Sequence, residues 1–130
     1  MATLEQQRAA FALKRVDEVK NGPEKGKFKT QLVKLPARLH NNGLGQTIAF
    51  YLSAGKDKPE TTLCGWIETW LHEQKIYDPK VRLISGITGQ GMNADEAEET
   101  YRRASAEVRA LAVWLKRFAE AFIEGGDEEK

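Results

Sequence analysis

Cysteine is almost missing from this 130-residue sequence. Cys64 stands alone, so it can form neither an intrachain disulfide nor a cysteine-based zinc site. A chain that does without disulfides is expected to be cytoplasmic. Long apolar runs are also missing. None approaches the roughly 20 residues that span a bilayer, so no membrane partner is expected. The N-terminal Met1–Gln7 stretch lacks the basic-then-apolar pattern of a secretory signal. Histidine is scarce too. His40 sits at a helix stop and His72 on an otherwise apolar helix, neither within a triad or metal-ligand spacing. Cys64 has no Cys or His within one helical turn and reads as a buried, inert thiol. The glycine-rich Gly86–Gly91 stretch lacks the Gly-Lys-Ser/Thr ending of a phosphate loop and follows no clear strand, so it reads as a mobile surface loop. Together these absences exclude the familiar catalytic constellations. The chain is expected to be no enzyme and to carry no metal or other cofactor.

Net charge is small as well: 20 Lys+Arg against 19 Asp+Glu, or +1. That sum hides a split. Residues 1–58 hold 11 basic and 5 acidic side chains, whereas residues 59–130 hold 9 and 14. An asymmetry of +6 against −5 points to a basic face.

What is present is helical periodicity. Thr3 with Gln6 forms a capping box ahead of the stripe Ala9, Ala12, Leu13, Val16 and Val19, and Asn21-Gly22-Pro23 ends that helix near Lys20. A second helix from about Glu24 to Leu39 carries Phe28, Leu32, Leu35 and Leu39. Pro36 should kink or split it, and His40–Gly43 should stop it. Leu44, Ile48 and Leu52 are spaced by four and favour helix, with a strand over 48–52 as the alternative. Pro59 suits a helix start before Leu63, Trp66, Ile67, Trp70 and Leu71, and Gly65 in that helix suits close packing. Asp78-Pro79 predicts a short helix over 79–84. Asn93 caps a last helix, about 45 Å long, with an a/d seam of Ala97, Tyr101, Ala104, Val108, Leu111, Leu115, Phe118 and Phe122. The expected fold is all-α: a single-domain bundle of about five to six helices over residues 1–126, followed by a frayed acidic tail at 127–130.

The basic residues carry the functional signal. Arg8 and Arg15 are a heptad apart on the first helix. Lys25, Lys27 and Lys29 crowd the start of the second, where the helix dipole disfavours cations. Lys34 and Arg38 follow, with Lys27 and Lys34 again a heptad apart. Arg102, Arg109 and Lys116 make a second stripe on the last helix, where Glu99 and Glu120 can pair with parts of it. Cations in rows on a helical scaffold suit a phosphate backbone held without sequence reading. Tyr51 and Trp114 are candidate stacking platforms for bases. Charge alone leaves RNA and an acidic protein surface both open as partners, the second making the chain a helical adaptor.

Four blocks narrow this choice. They are Leu4-Glu-Gln-Gln-Arg-Ala, Phe28-Lys-Thr-Gln-Leu-Val-Lys-Leu-Pro, Asn42-Gly-Leu-Gly-Gln-Thr-Ile-Ala-Phe50 and Leu111-Ala-Val-Trp-Leu-Lys-Arg-Phe-Ala119. In this order they resemble the small helical subunit of Cmr complexes, the type III-B CRISPR effectors that silence RNA. The resemblance spans most of the chain but not residues 61–94. It implies an all-α subunit with no nuclease of its own. It also implies several copies stacked in a row beside larger Cmr subunits, lining the channel where guide and target RNA pair. The RNA-facing residues it implies are Arg8, Arg15, Lys27, Lys34, Arg38 and Gln46. Arg15 and Lys27 lie beside the matching blocks rather than within them.

Overall fold

The computed structural model describes residues 2–125. Among them it contains five helices and no strand: α1 (Leu4–Val19), α2 (Lys25–Leu52), α3 (Pro59–Glu73), α4 (Leu83–Thr88) and α5 (Ala94–Phe122). This is the expected all-α class, with the long C-terminal helix in place. The acidic tail at 127–130 lies outside the described residues. The described chain forms two compact units. Unit 1 comprises the chain up to His40 together with the part from Arg109 onward, and unit 2 comprises Asn41–Val108.

In unit 1, α1 starts as its sequence dictates. Thr3 Oγ1 accepts the Gln6 N–H at 3.1 Å, and Gln6 Oε1 accepts the Thr3 N–H at 2.9 Å. Two otherwise orphaned donors are thereby satisfied. The helix buries Phe11, Ala12 and Val16, while Leu13 of the expected stripe is exposed. In α2, Leu32, Leu35 and Leu39 are buried on successive turns. Pro36 does not break this helix as expected. The non-helical dihedrals inside α2 fall at Gly43 instead. Pro36 cannot donate to the Leu32 carbonyl, but the buried leucines on either side hold the helix through it.

The α5 part of unit 1 buries Leu111, Ala112, Leu115 and Ala119, and Ile123 just beyond the helix end is buried too. The predicted seam therefore slips, with Phe118 half-buried and Phe122 49% exposed. A helix of 3.6 residues per turn drifts about 20° per heptad against a 3.5-residue pattern, so the inward position arrives one residue late by the C-terminal end. The Trp114 Nε1–H donates to Glu5 Oε2 at 2.9 Å, which ties α5 to α1.

In unit 2, α2 resumes after Gly43, whose φ of 81° lies in the left-handed region that glycine tolerates best. The Gly45 N–H donates to the Tyr101 hydroxyl of α5 at 3.0 Å, so a side chain caps the restarted helix. Leu44, Ile48 and Tyr51 point inward, and Leu52 is exposed. Pro59 opens α3, which buries Leu63, Cys64, Trp66, Ile67, Trp70 and Leu71. The Trp70 Nε1–H donates to the buried Glu107 carboxylate at 3.0 Å, linking α3 to α5. Gly65 is exposed with open space around it, so it does not serve close packing.

The short helix falls later than expected. Asp78 Oδ1 accepts the Lys80 N–H, and the Asp78 carbonyl accepts the Val81 N–H, which makes a turn in place of a helix start. α4 then spans Leu83–Thr88, and its end overlaps the stretch read as a mobile loop. Its first N–H, on Leu83, donates to Glu68 Oε2 of α3 at 2.6 Å. Gly89, with φ 78°, closes it. Gly86 is buried against the Tyr77 ring. In α5, Asn93 Oδ1 accepts the Glu96 N–H at 2.8 Å and Glu96 Oε1 accepts the Asn93 N–H, as the cap predicted.

Candidate nucleic-acid interface

Five of the six residues assigned to RNA lie in unit 1, on α1 and on α2 before the Gly43 break. They differ in how free they are. The half-buried Arg8 guanidinium donates from Nη1 to Glu5 Oε1 at 2.9 Å, and Glu5 also holds Trp114. Arg15 lies over the Phe11 ring, 4.7 Å from its centroid, and donates from Nη1 to both Glu18 oxygens at 3.2 and 3.3 Å. Arg38 donates to the Gln31 side-chain carbonyl two turns back. The three arginines are thus oriented by neighbours. The lysines reach into solvent. Lys27 is 72% exposed and sits 3.9 Å from Glu24, the outer limit of a salt bridge. Lys34 is exposed and has no ion pair with a described residue. Gln46 is exposed on α2 in unit 2.

The charge split persists between the units. Unit 1 contains 13 Lys+Arg and 9 Asp+Glu, and unit 2 contains 7 and 10. The first turn of α2 holds no acid to offset its lysines. On α5, Arg102 donates to both oxygens of Glu99, holding that carboxyl below its usual range chiefly through the hydrogen bond. Glu120 makes no ion pair with a cation among the described residues, although its spacing allows one.

Both aromatic candidates are committed elsewhere. Tyr51 is fully buried, so no base can reach its face. Trp114 is held by Glu5 and lies 5.5 Å from the Phe118 ring.

Sequence reasoning missed a concave site in unit 1. Pro36 on α2 and Val113, Lys116, Arg117 and Glu120 on α5 line a groove of about 440 Å³. Only the adjacent pair Lys116-Arg117 hinted at it. The α2 wall comes from a residue far away in sequence.

The remaining candidate groups are structural. His72 Nε2 is 2.9 Å from the Val81 carbonyl oxygen, and its ring meets Tyr77 edge-on at 5.1 Å. No group of three or more His, Cys, Asp or Glu among the described residues could hold a metal ion. No described helix is long and apolar enough to cross a membrane. Cys64 is 3% exposed, and burial pushes its thiol up to about 12, with the Glu68 charge adding to the shift. Thiolate is the reactive form. Labelling by a thiol reagent at about pH 8 should therefore require unfolding, and a folded chain that labels at the rate of a free thiol would refute this placement. Between the ordinary thiol range near pH 9 and about pH 12, the unfolded chain releases this proton and the folded chain keeps it. Stability should fall as pH rises through that window, and Cys64→Ala should flatten the fall.

Fold and surface together define a small all-α protein that displays charge along helix faces. Among the described residues it gathers no metal-ligand cluster. The family of CRISPR-associated proteins Cas_Cmr5 matches residues 4–122, and the chain belongs to that family. The CRISPR system Cmr subunit Cmr5 of Thermus thermophilus is 30% identical over 128 residues, covering 95% of this chain and 99% of the relative. The crystal structure of a CRISPR-associated Cmr5 family protein from the same organism superposes with a TM-score of 0.71 at 28% identity. That match covers 95% of this chain and 100% of the other.

Proposed function

We propose that this chain is a non-catalytic subunit of a Cmr-type CRISPR complex that contacts the guide and target RNA backbone through the basic surface of unit 1. The observation that carries this reading is the pair Lys27 and Lys34, both exposed and a heptad apart on α2, within the unit that holds the basic excess. Family membership supplies the setting. In an RNA-guided complex, base pairing reads sequence and protein supplies backbone contacts. Such work needs cations distributed along a scaffold and no assembled catalytic centre. The partners are RNA, larger Cmr subunits and further copies of this chain. Opposite charge excesses on the two units suit head-to-tail stacking, in which the basic surface of one copy meets the acidic surface of the next.

Replacing Lys27 and Lys34 together with Ala should weaken RNA retention across unrelated sequences. The slope of log K against log salt should shrink by about 0.7 for each phosphate of a single strand that is no longer neutralised. Filter binding or anisotropy over a salt series measures it. An unchanged slope in a folded variant would reassign the basic face to an acidic protein partner.

A further inference from the structure

The groove on unit 1 combines groups that a bare phosphate would not satisfy. Val113, Lys116, Arg117 and Glu120 follow the spacing i, i+3, i+4, i+7, so they form one continuous face of α5. Pro36 faces them from α2 and offers a ring with no backbone donor. The volume of about 440 Å³ falls in the range of small-molecule clefts. Lys116 is half-buried and Arg117 exposed. Glu120 lies one turn beyond both, a spacing that commonly produces an ion pair. Yet none of the three is ion-paired or hydrogen-bonded to a described residue. Two uncommitted cations and one uncommitted carboxylate therefore line the groove beside Pro36 and Val113.

A carboxylate only accepts hydrogen bonds, whereas ammonium and guanidinium groups only donate. A ligand that satisfies all three must carry an anion and, close beside it, a hydrogen-bond donor. A ribonucleotide does so, with its phosphate meeting Lys116 and Arg117 and its 2′-hydroxyl donating to Glu120. A deoxyribonucleotide leaves Glu120 facing a phosphate with nothing to donate. Base amino groups are the other donors available. In a guide–target duplex they are engaged in pairing, while 2′-hydroxyls remain displayed in the wide minor groove.

We infer that this groove seats one ribonucleotide of the bound RNA and distinguishes ribose from deoxyribose through Glu120. The inference rests on the backbone-contact reading above and adds sugar selectivity to it. The test uses the full chain at low salt with three fluorescent single strands of one sequence: RNA, DNA and 2′-O-methyl RNA. RNA should bind tighter than the other two by about 2- to 10-fold, the value of one hydrogen bond. Glu120→Ala should erase that preference, and Glu120→Gln, which keeps an acceptor, should restore part of it. The double variant Lys116→Ala, Arg117→Ala should weaken all three strands and leave their ratio nearly unchanged. A preference that survives Glu120→Ala overturns the inference. So does one that follows base identity across sequences. Equal binding of RNA and DNA, with a normal salt slope, overturns the ribose assignment alone and leaves the backbone reading standing. No binding of any strand removes both.

Discussion

Gly86→Ala is expected to destabilise the protein by about 1–3 kcal/mol, while Gly65→Ala is expected to stabilise it by about 0.5–1 kcal/mol. Both glycines lie inside helices, so intrinsic helix propensity favours alanine at each. The neighbourhood decides the sign. A Cβ at Gly86 would stand 2.6–2.7 Å from three atoms of the Tyr77 ring. That ring is buried and meets His72 on its edge, so the methyl group forces either the ring or α4 to move. At Gly65 a Cβ meets nothing within 4 Å. There the substitution only removes conformational freedom from the unfolded chain. Thermal and urea melts of the two variants beside the parent protein measure the contrast. Equal shifts of the same sign would show that the buried placement of α4 is wrong.

At the C-terminal end of α5, Ile123→Ala is expected to cost about 2 kcal/mol or more, and Phe122→Ala about 0.5 kcal/mol or less. The a/d pattern alone would rank these the other way, because Phe122 continues the seam and is the larger residue. The structure leaves Phe122 half in solvent with the Phe118 ring 6.0 Å away, and it buries Ile123 to 1% exposure. Truncating Ile123 removes methyl groups from a packed site. Truncating Phe122 mainly removes surface that was already wet. Denaturant midpoints at constant m-value would measure both. A larger loss for Phe122 would restore the strict heptad seam.

Helix starts built from local chemistry were legible in the sequence. The Thr3–Gln6 and Asn93–Glu96 boxes operate over three residues, and each opens the helix that its Thr3 or Asn93 cap predicts. The apolar rhythm of α3 was equally clear, because seven of its residues are buried. Elements set by tertiary partners were not legible. α4 lies where Glu68 supplies a hydrogen-bond acceptor and Tyr77 leaves room for Gly86, and neither fact is visible in Leu83–Thr88 itself. Pro36 announces a break that the flanking leucines override.

The interface shows the same division. The heptad spacing of Lys27 and Lys34 could be read directly, whereas their exposure needed the packed helix. Arg8 and Arg15 are held by acids three residues away, a short-range pairing that the row of cations by itself does not reveal. Tyr51 looked available for stacking until the core claimed it. The Pro36 groove required two helices to be brought together before any of its residues formed a site.

The start of α4 shows how a short helix depends on its neighbour. An isolated helix needs about 12–15 residues to be even marginally stable in water, and α4 has six. Arg82 at its N-cap provides no side-chain cap of its own, so the Glu68 carboxylate takes that part. α4 therefore cannot nucleate. Its stability rests on its tertiary contacts, the buried Leu83 and Ile87 and the Glu68 acceptor of α3. A carboxylate on one helix thus helps to fix where the next helix begins.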